Sequence, residues 1–369
     1  MPAATAISKE EFAARLDRVQ QAMGQRGLDG LVVLGTFPEQ EGHVAYLSGF
    51  RQAYPKVLGC GGAGHHALVL AREGLATLVS PTGYQSQALV NLEGVRLGPD
   101  LALELATALR DKGLAAGKVG VAGWSLTPVE TWRAVEKALP KAVFEPVDDL
   151  LQGLRGTKSP SEIALLTRAA QVGAAAAAAG LAAAQPGISE ARVEAAMRQA
   201  ATEAGAELVA RVGVQGGPSL RPRGWPPVTG RALEDGDLLQ VEIAGWAGGY
   251  GFSAARVQAV GSASAEQEAH LAHLAEAVEW MRESLQPRKP VGYVMTVHRE
   301  QRIMPAAHGI GLDIFEYPWI LPGPGPKKHQ VPPGSVLCVE PIMTNTRFGS
   351  VSIKRTVLVD EDGPRFLDE

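Results

Sequence analysis

Apolar positions follow two rhythms along this chain, and the switch between them marks out its elements. Behind Ser8 and the acidic pair Glu10-Glu11, the residues Phe12, Leu16, Val19 and Met23 recur at three- and four-residue spacing, which predicts a capped amphipathic helix over 8–27. The run Leu31-Val32-Val33-Leu34, set between Gly30 and Gly35, is short and wholly apolar and predicts a buried strand. Strands are expected again at 66–70 and 76–80, paired around Glu73-Gly74. A helix over 100–112, a strand over 119–122 and a helix over 128–137 complete an α/β pattern.

The stretch Leu154-Arg155-Gly156-Thr157-Lys158-Ser159-Pro160 is polar and carries Gly and Pro, so a domain boundary is placed between 153 and 154. It ends on a helix start, with Ser159 as N-cap and Pro160 in the first turn. Helices are expected over 162–185 and 189–204, then over 266–285 and about 291–304. Strands are expected at 238–243, 251–260, 336–340 and 351–359, so the second half reads as α+β.

Composition narrows the function classes. With 369 residues, 46% hydrophobic and 20% charged, the chain is globular and long enough for two cores. A net charge of −4 supplies no basic stripe for nucleic acid, the sparse group Arg211, Arg221, Arg223 and Arg231 included. The start MPAATAISKEEF lacks the apolar core of a signal peptide, and the Ala-rich run 174–184 is too weakly hydrophobic for a membrane span. A cytoplasmic protein without membrane or nucleic-acid partners is expected. Two cysteines, Cys60 and Cys338, allow no disulfide framework or Cys-based zinc site, and Cys338 in its apolar run reads as a small buried hydrophobe.

Several phrases, taken together and in order, resemble the pita-bread family of Xaa-Pro aminopeptidases, prolidases and creatinase. They are Asp29–Val33, Tyr46–Phe50, Leu154–Glu162, Pro186–Glu190, Gly236–Glu242, His308–Asp313, Val339-Glu340-Pro341 and Thr356–Val359. The resemblance implies an α/β creatinase-like N-terminal domain (1–153), an α+β pita-bread C-terminal domain (154–369) and a homodimer. It also implies five metal-ligand positions, two Asp, one His and two Glu, by which two divalent cations clamp and deprotonate a water.

In this sequence those positions hold Glu242, Ser253, His308, Glu340 and Lys354, the last followed by Arg355. A turn centred on Ala247-Gly248 would pair residues 242 and 253 across a hairpin and set them on one face. Lys354 carries the argument. At ~4 Å and an effective dielectric of ~20, an ammonium repels a unit positive charge by roughly 4 kcal/mol and a divalent ion by about twice that. A two-metal site is therefore not expected, and no cofactor is assigned. Glu242 and Glu340 would instead neutralise Lys354, so the substitutions compensate one another.

Outside the metal positions, the family's two supporting histidines are replaced by Arg223, in Pro222-Arg223-Gly224-Trp225-Pro226, and by Phe315. Ser352 stands where prolidase-like members carry an arginine that holds the substrate carboxylate. Arg223 and Trp225 either clamp a ligand at the cleft mouth or belong to a solvated loop. His308 is a candidate general base or a histidine satisfied within the fold. Glu242, Glu340 and Lys354 are candidate catalytic groups or a buried ion cluster. Loops without chemistry are expected at His65-His66, Pro322–Pro326 and Lys327–His329.

Three readings follow. The first is a non-peptidase relative that binds a small molecule or peptide. The second is a metal-independent C–N hydrolase of a small amidine or amide, using Glu242, His308, Glu340 and Lys354. The third is a mononuclear metal aminopeptidase or dipeptidase on Glu242, His308 and Glu340, a respectable zinc set provided Lys354 swings away.

Overall fold

The structure is a computed structural model that describes residues 6–36, 42–51, 64–81, 89–217, 220, 228–290, 303–321, 330–346 and 348–369. Arg223, Trp225, Cys60, the 322–329 stretch and all of the expected 291–304 helix up to residue 302 lie outside the described residues. The chain divides into two compact units, Ile7–Arg155 and Gly156–Glu369, each described by itself.

The first unit runs α1 (Lys9–Gln25), β1 (Gly30–Thr36), α2 (Gly42–Ser48), β2 (His65–Ala71), β3 (Ala76–Ser80), β4 (Leu92–Leu97), α3 (Leu101–Asp111), β5 (Lys118–Ala122), α4 (Val129–Ala138), β6 (Val143–Pro146) and α5 (Asp148–Gly156). Ser8 caps α1 by accepting from the Glu11 amide, and Asp100 caps α3 by accepting from Leu103. The six strands form one mixed sheet ordered β4-β3-β2-β1-β5-β6, with β2 antiparallel to both β1 and β3. His66 lies in a strand, as the 66–70 expectation has it, and His65, expected in a loop, joins it; the two pair with Gly35 and Thr36 of β1. Helix α5 takes up residues expected as linker, because Leu150 and Leu151 are buried and the Arg155 guanidinium reaches His43 Nδ1 at 2.8 Å.

The second unit opens with α6 (Pro160–Ala183) and α7 (Glu190–Glu203), followed by β7 (Leu208–Gly216), β8 (Leu238–Ala247), β9 (Tyr250–Ala259), α8 (Ala265–Ser284), β10 (Ile303–Gly309), β11 (Glu316–Ile320), β12 (Ser335–Thr346), β13 (Gly349–Ser352), β14 (Arg355–Asp360) and β15 (Gly363–Phe366). Ser159 forms a full capping box with Glu162, with Pro160 just inside, as the sequence predicts. By length and composition α6 is apolar enough to cross a membrane, yet half of its most apolar stretch is buried inside the unit. Its small residues serve close packing. A Cβ at Gly180 would meet Met197 Cγ at 2.6 Å, and one at Gly173 would meet the Phe252 ring at 3.1 Å.

Two sheets make up the rest, β7-β8-β9 and β11-β10-β12-β14-β15, with β13 paired to β12. An isolated antiparallel bridge, Ala255 to Lys354, joins them. Strand alternation sorts the side chains. Leu337 and Val339 of β12, with Val357 and Val359 of β14, pack on Val278, Met281 and Leu285 of α8. Their strand neighbours Cys338, Glu340 and Thr356 therefore face the other way.

The expected 351–359 strand is in fact two, broken at Ile353-Lys354. Residues 303 and 304, expected as the end of a helix, begin β10.

Candidate functional site

The β8–β9 hairpin turns at Gly248-Gly249, both left-handed with φ of 59° and 73°. A two-residue hairpin turn of this hand needs positive φ at both central positions, which two glycines supply without a Cβ clash. The expected turn at Ala247-Gly248 would have forced an alanine into that region. As a correction, the register puts Glu242 opposite Ala255 and Ser253 opposite Ala244. Glu242 and Ser253 are thus diagonal neighbours rather than a direct pair, still on one face because the offset is two residues.

Two rows of side chains cross this face. In the first, Glu242 pairs with Ala255, and Ala255 bridges to Lys354. The β12–β14 register, continued one step, sets Lys354 beside Glu340, which pairs in turn with Ala306. Ala255 contributes only a methyl group, so the lysine stem can pass over it. Lys354 Nζ donates to Glu242 Oε1 and lies 3.5 Å from Glu340 Oε2. The lysine is 4% exposed. In the second row Thr356, Cys338 and His308 are neighbours across the strands, and Cys338 Sγ lies 4.0 Å from the Ser253 carbonyl oxygen. The structure thus brings together Glu242, Ser253, His308, Glu340 and Lys354.

Burial opposes the Lys354 charge, but Glu242 and then Glu340 more than reverse this, and the ammonium is held above the usual lysine range. Burial likewise pushes the Glu242 carboxyl up, against the pull of Lys354. Glu340 has a second partner, since Ser352 Oγ donates to its Oε1 at 3.1 Å. Ser352 in turn receives Gln240, whose Oε1 accepts from the Ser352 amide at 2.8 Å.

His308 is held by its own strand end. Its Nδ1 lies 2.9 Å from the Gly309 carbonyl oxygen, and a carbonyl only accepts, so Nδ1 carries the proton. Burial lowers the ring to a pKa of about 4, which makes it neutral at pH 7 and leaves Nε2 a bare acceptor. Among the described residues neither His308 Nε2 nor Ser253 Oγ has a hydrogen-bond partner, and both atoms are buried. Phe315 sits on the imidazole at 4.4 Å between centroids, and Trp319 stacks on Phe315 at 6.0 Å with rings 5° from parallel.

Sequence reasoning did not reach Gln240, Cys338 or Trp319. The first two lie two residues before Glu242 and Glu340, so strand alternation already put them on the same face. Cys338 is buried as expected, with its thiol pushed up to about 12 chiefly by that burial. It is nonetheless a wall of the site rather than part of the apolar core against α8.

A second buried ion pair lies in the same unit. Lys158 Nζ meets Glu316 Oε1 at 2.6 Å, tying the start of α6 to β11 directly after Phe315. The loop before β11 is anchored on the hairpin, where Trp246 Nε1 donates to the Leu312 carbonyl at 2.9 Å.

Two carboxylates already face an ammonium, and Ser253 offers a hydroxyl where the resemblance implies a carboxylate. Among the described residues no group of three or more His, Cys, Asp or Glu side chains is arranged to hold a metal ion. These donors do not fit a dinuclear centre.

A mixed α/β unit followed by helices backed onto paired antiparallel sheets is the architecture of creatinase and prolidase relatives. The chain matches the Creatinase/Prolidase N-terminal domain over residues 15–156 and metallopeptidase family M24 over residues 164–361. It belongs to metallopeptidase family M24.

It is 24% identical over 376 residues to the uncharacterized peptidase YqhT of Bacillus subtilis, covering 96% of this chain and 97% of that one. To the probable dipeptidase PepE of Mycobacterium tuberculosis it is 28% identical over 387 residues, covering 96% and 93%. Among solved structures, an X-Pro aminopeptidase from Thermotoga maritima superposes with a TM-score of 0.81 at 20% identity, over 96% of this chain and 97% of that one. The Xaa-Pro dipeptidase from Bacillus anthracis gives 0.80 at 21%, over 97% and 98%. These structural likenesses establish the creatinase-like and pita-bread folds.

Proposed function

We propose that this M24 chain works without a dinuclear metal centre and binds a small molecule or peptide rather than cleaving Xaa-Pro bonds. One observation carries the reading. Lys354 Nζ occupies the space between Glu242 and Glu340, donating to the first and standing 3.5 Å from the second. A carboxylate pair already neutralised by an ammonium has little left to offer a cation, and the ammonium repels it. The expected homodimer and cytoplasmic setting are part of the same proposal.

The mononuclear alternative would need Glu242, His308 and Glu340 to converge on one ion, whereas the two carboxylates converge on Lys354. For the C–N hydrolase alternative, general acid–base work needs a proton carrier within hydrogen-bond reach of substrate. Among these four groups, His308 Nε2 is the fully buried acceptor that the described contacts leave without a partner.

A panel of Xaa-Pro dipeptides and Xaa-Pro-Xaa tripeptides, assayed with manganese, cobalt or zinc added, tests the reading. No metal-dependent turnover above a no-protein control is expected. Saturable, metal-dependent release of the N-terminal residue or of proline would overturn it.

A further inference from the structure

We infer that the second unit holds a subsite for a flat, uncharged ligand bearing one N–H or O–H donor. The donor hydrogen-bonds to His308 Nε2, and the ligand's flat body lies on the Phe315–Trp319 ring pair. The inference rests on the metal-free reading above, since a cation on His308 would use the same lone pair.

Four observations support it. His308 is 5% exposed, and its Nε2 is a buried acceptor without a partner among the described residues, a state that costs stability unless something donates to it. The ring cannot turn to satisfy Nε2 without giving up the Nδ1 contact to the Gly309 carbonyl. Directly against the imidazole stands an aromatic surface that the fold leaves open, with Phe315 43% and Trp319 47% exposed. Two nearly parallel rings present flat apolar faces, and planar groups stack on such faces. Finally, Nε2 is buried, so a charged group brought to it would give up its hydration with no counter-charge on the neutral imidazole to replace it. An acceptor nitrogen cannot bind an anion without a proton. An uncharged donor is what remains.

The test uses the full chain, with indole and 1-methylindole as probes. They share a flat body, and only indole has an N–H. Imidazole nitrogen NMR, with His308 assigned by its loss in His308→Gln, follows Nε2 directly. Indole is expected to saturate and shift the His308 Nε2 resonance, while 1-methylindole leaves it in place and binds at least about tenfold more weakly. Phe315→Ala should weaken indole by a similar factor, and Trp319→Leu on the same rim serves if that variant does not fold. Equal binding of the two probes, or an unmoved Nε2 with indole, overturns the inference. A parallel titration with zinc separates the two failures. A stoichiometric shift of Nε2 by zinc would refute the metal-free reading, whereas a resonance unmoved by both zinc and indole would refute the subsite alone.

Discussion

Among the described residues, two ammonium groups are buried in the second unit, and their surroundings differ in one respect. Lys158 meets a single carboxylate, Glu316, so charge balances. Lys354 meets two, Glu242 and Glu340, one ammonium to two carboxylates. A balanced pair fixes two elements and needs nothing more. The triad lies on a face that also carries two unpartnered buried polar atoms, Ser253 Oγ and His308 Nε2. An uneven cluster and orphaned atoms mark a place shaped for something other than packing.

Substitution should separate the two clusters. Lys354→Met leaves the buried Glu242 carboxylate facing a half-buried Glu340, and a loss of about 5 kcal/mol, or failure to fold near neutral pH, is expected. Lys158→Met strands only one carboxylate and should cost about 3 kcal/mol in the same denaturant titration. Equal losses would erase the distinction between pair and triad. Pairing Lys158→Met with Glu316→Leu should restore stability to within about 1 kcal/mol of the parent, because a balanced buried pair is close to neutral against apolar replacements.

A buried histidine of the first unit sharpens the comparison further. His66 in the first unit is wholly buried, both ring nitrogens lack partners among the described residues, and burial lowers its pKa to about 3. Its folded value lies below the unfolded value, so the stability it contributes is complete above about pH 6.5 and declines as pH falls toward 3. Between pH 6.5 and 4 the first unit should lose on the order of 3 kcal/mol from this group. His66→Phe, which can keep an edge contact with Phe50, should flatten that slope in acid titrations followed by circular dichroism. A slope unchanged by the substitution would contradict the assignment.

Much of this was legible in the sequence, for physical reasons. Ser8, Asp100 and the Ser159–Glu162 box announce their helices because short polar side chains satisfy exposed amides at helix starts. Glu242, Glu340 and Lys354 could be matched because they stand at positions that the family resemblance marks as metal ligands, where an ammonium and two carboxylates offset one another. The hairpin register was misjudged by one residue at the turn, although Gly248-Gly249 carried the information, since only that pair places glycine at both left-handed positions. Helix α5 was hidden because its polar Arg155 is buried by a long-range contact to His43 that no local pattern shows. The break before β14 escaped notice for a similar reason, as it is set by the bridge from Lys354 to Ala255 roughly a hundred residues away. Trp319 joined the site through stacking on Phe315, which periodicity cannot reveal.

We propose that Lys354 fills the position that a cation would take. Elemental analysis of chain purified without chelator, then dialysed against zinc and manganese, tests it most directly. A metal-to-chain ratio near zero is the expected result. A ratio near one or two, retained through gel filtration, would mean that a cation displaces the Lys354 ammonium.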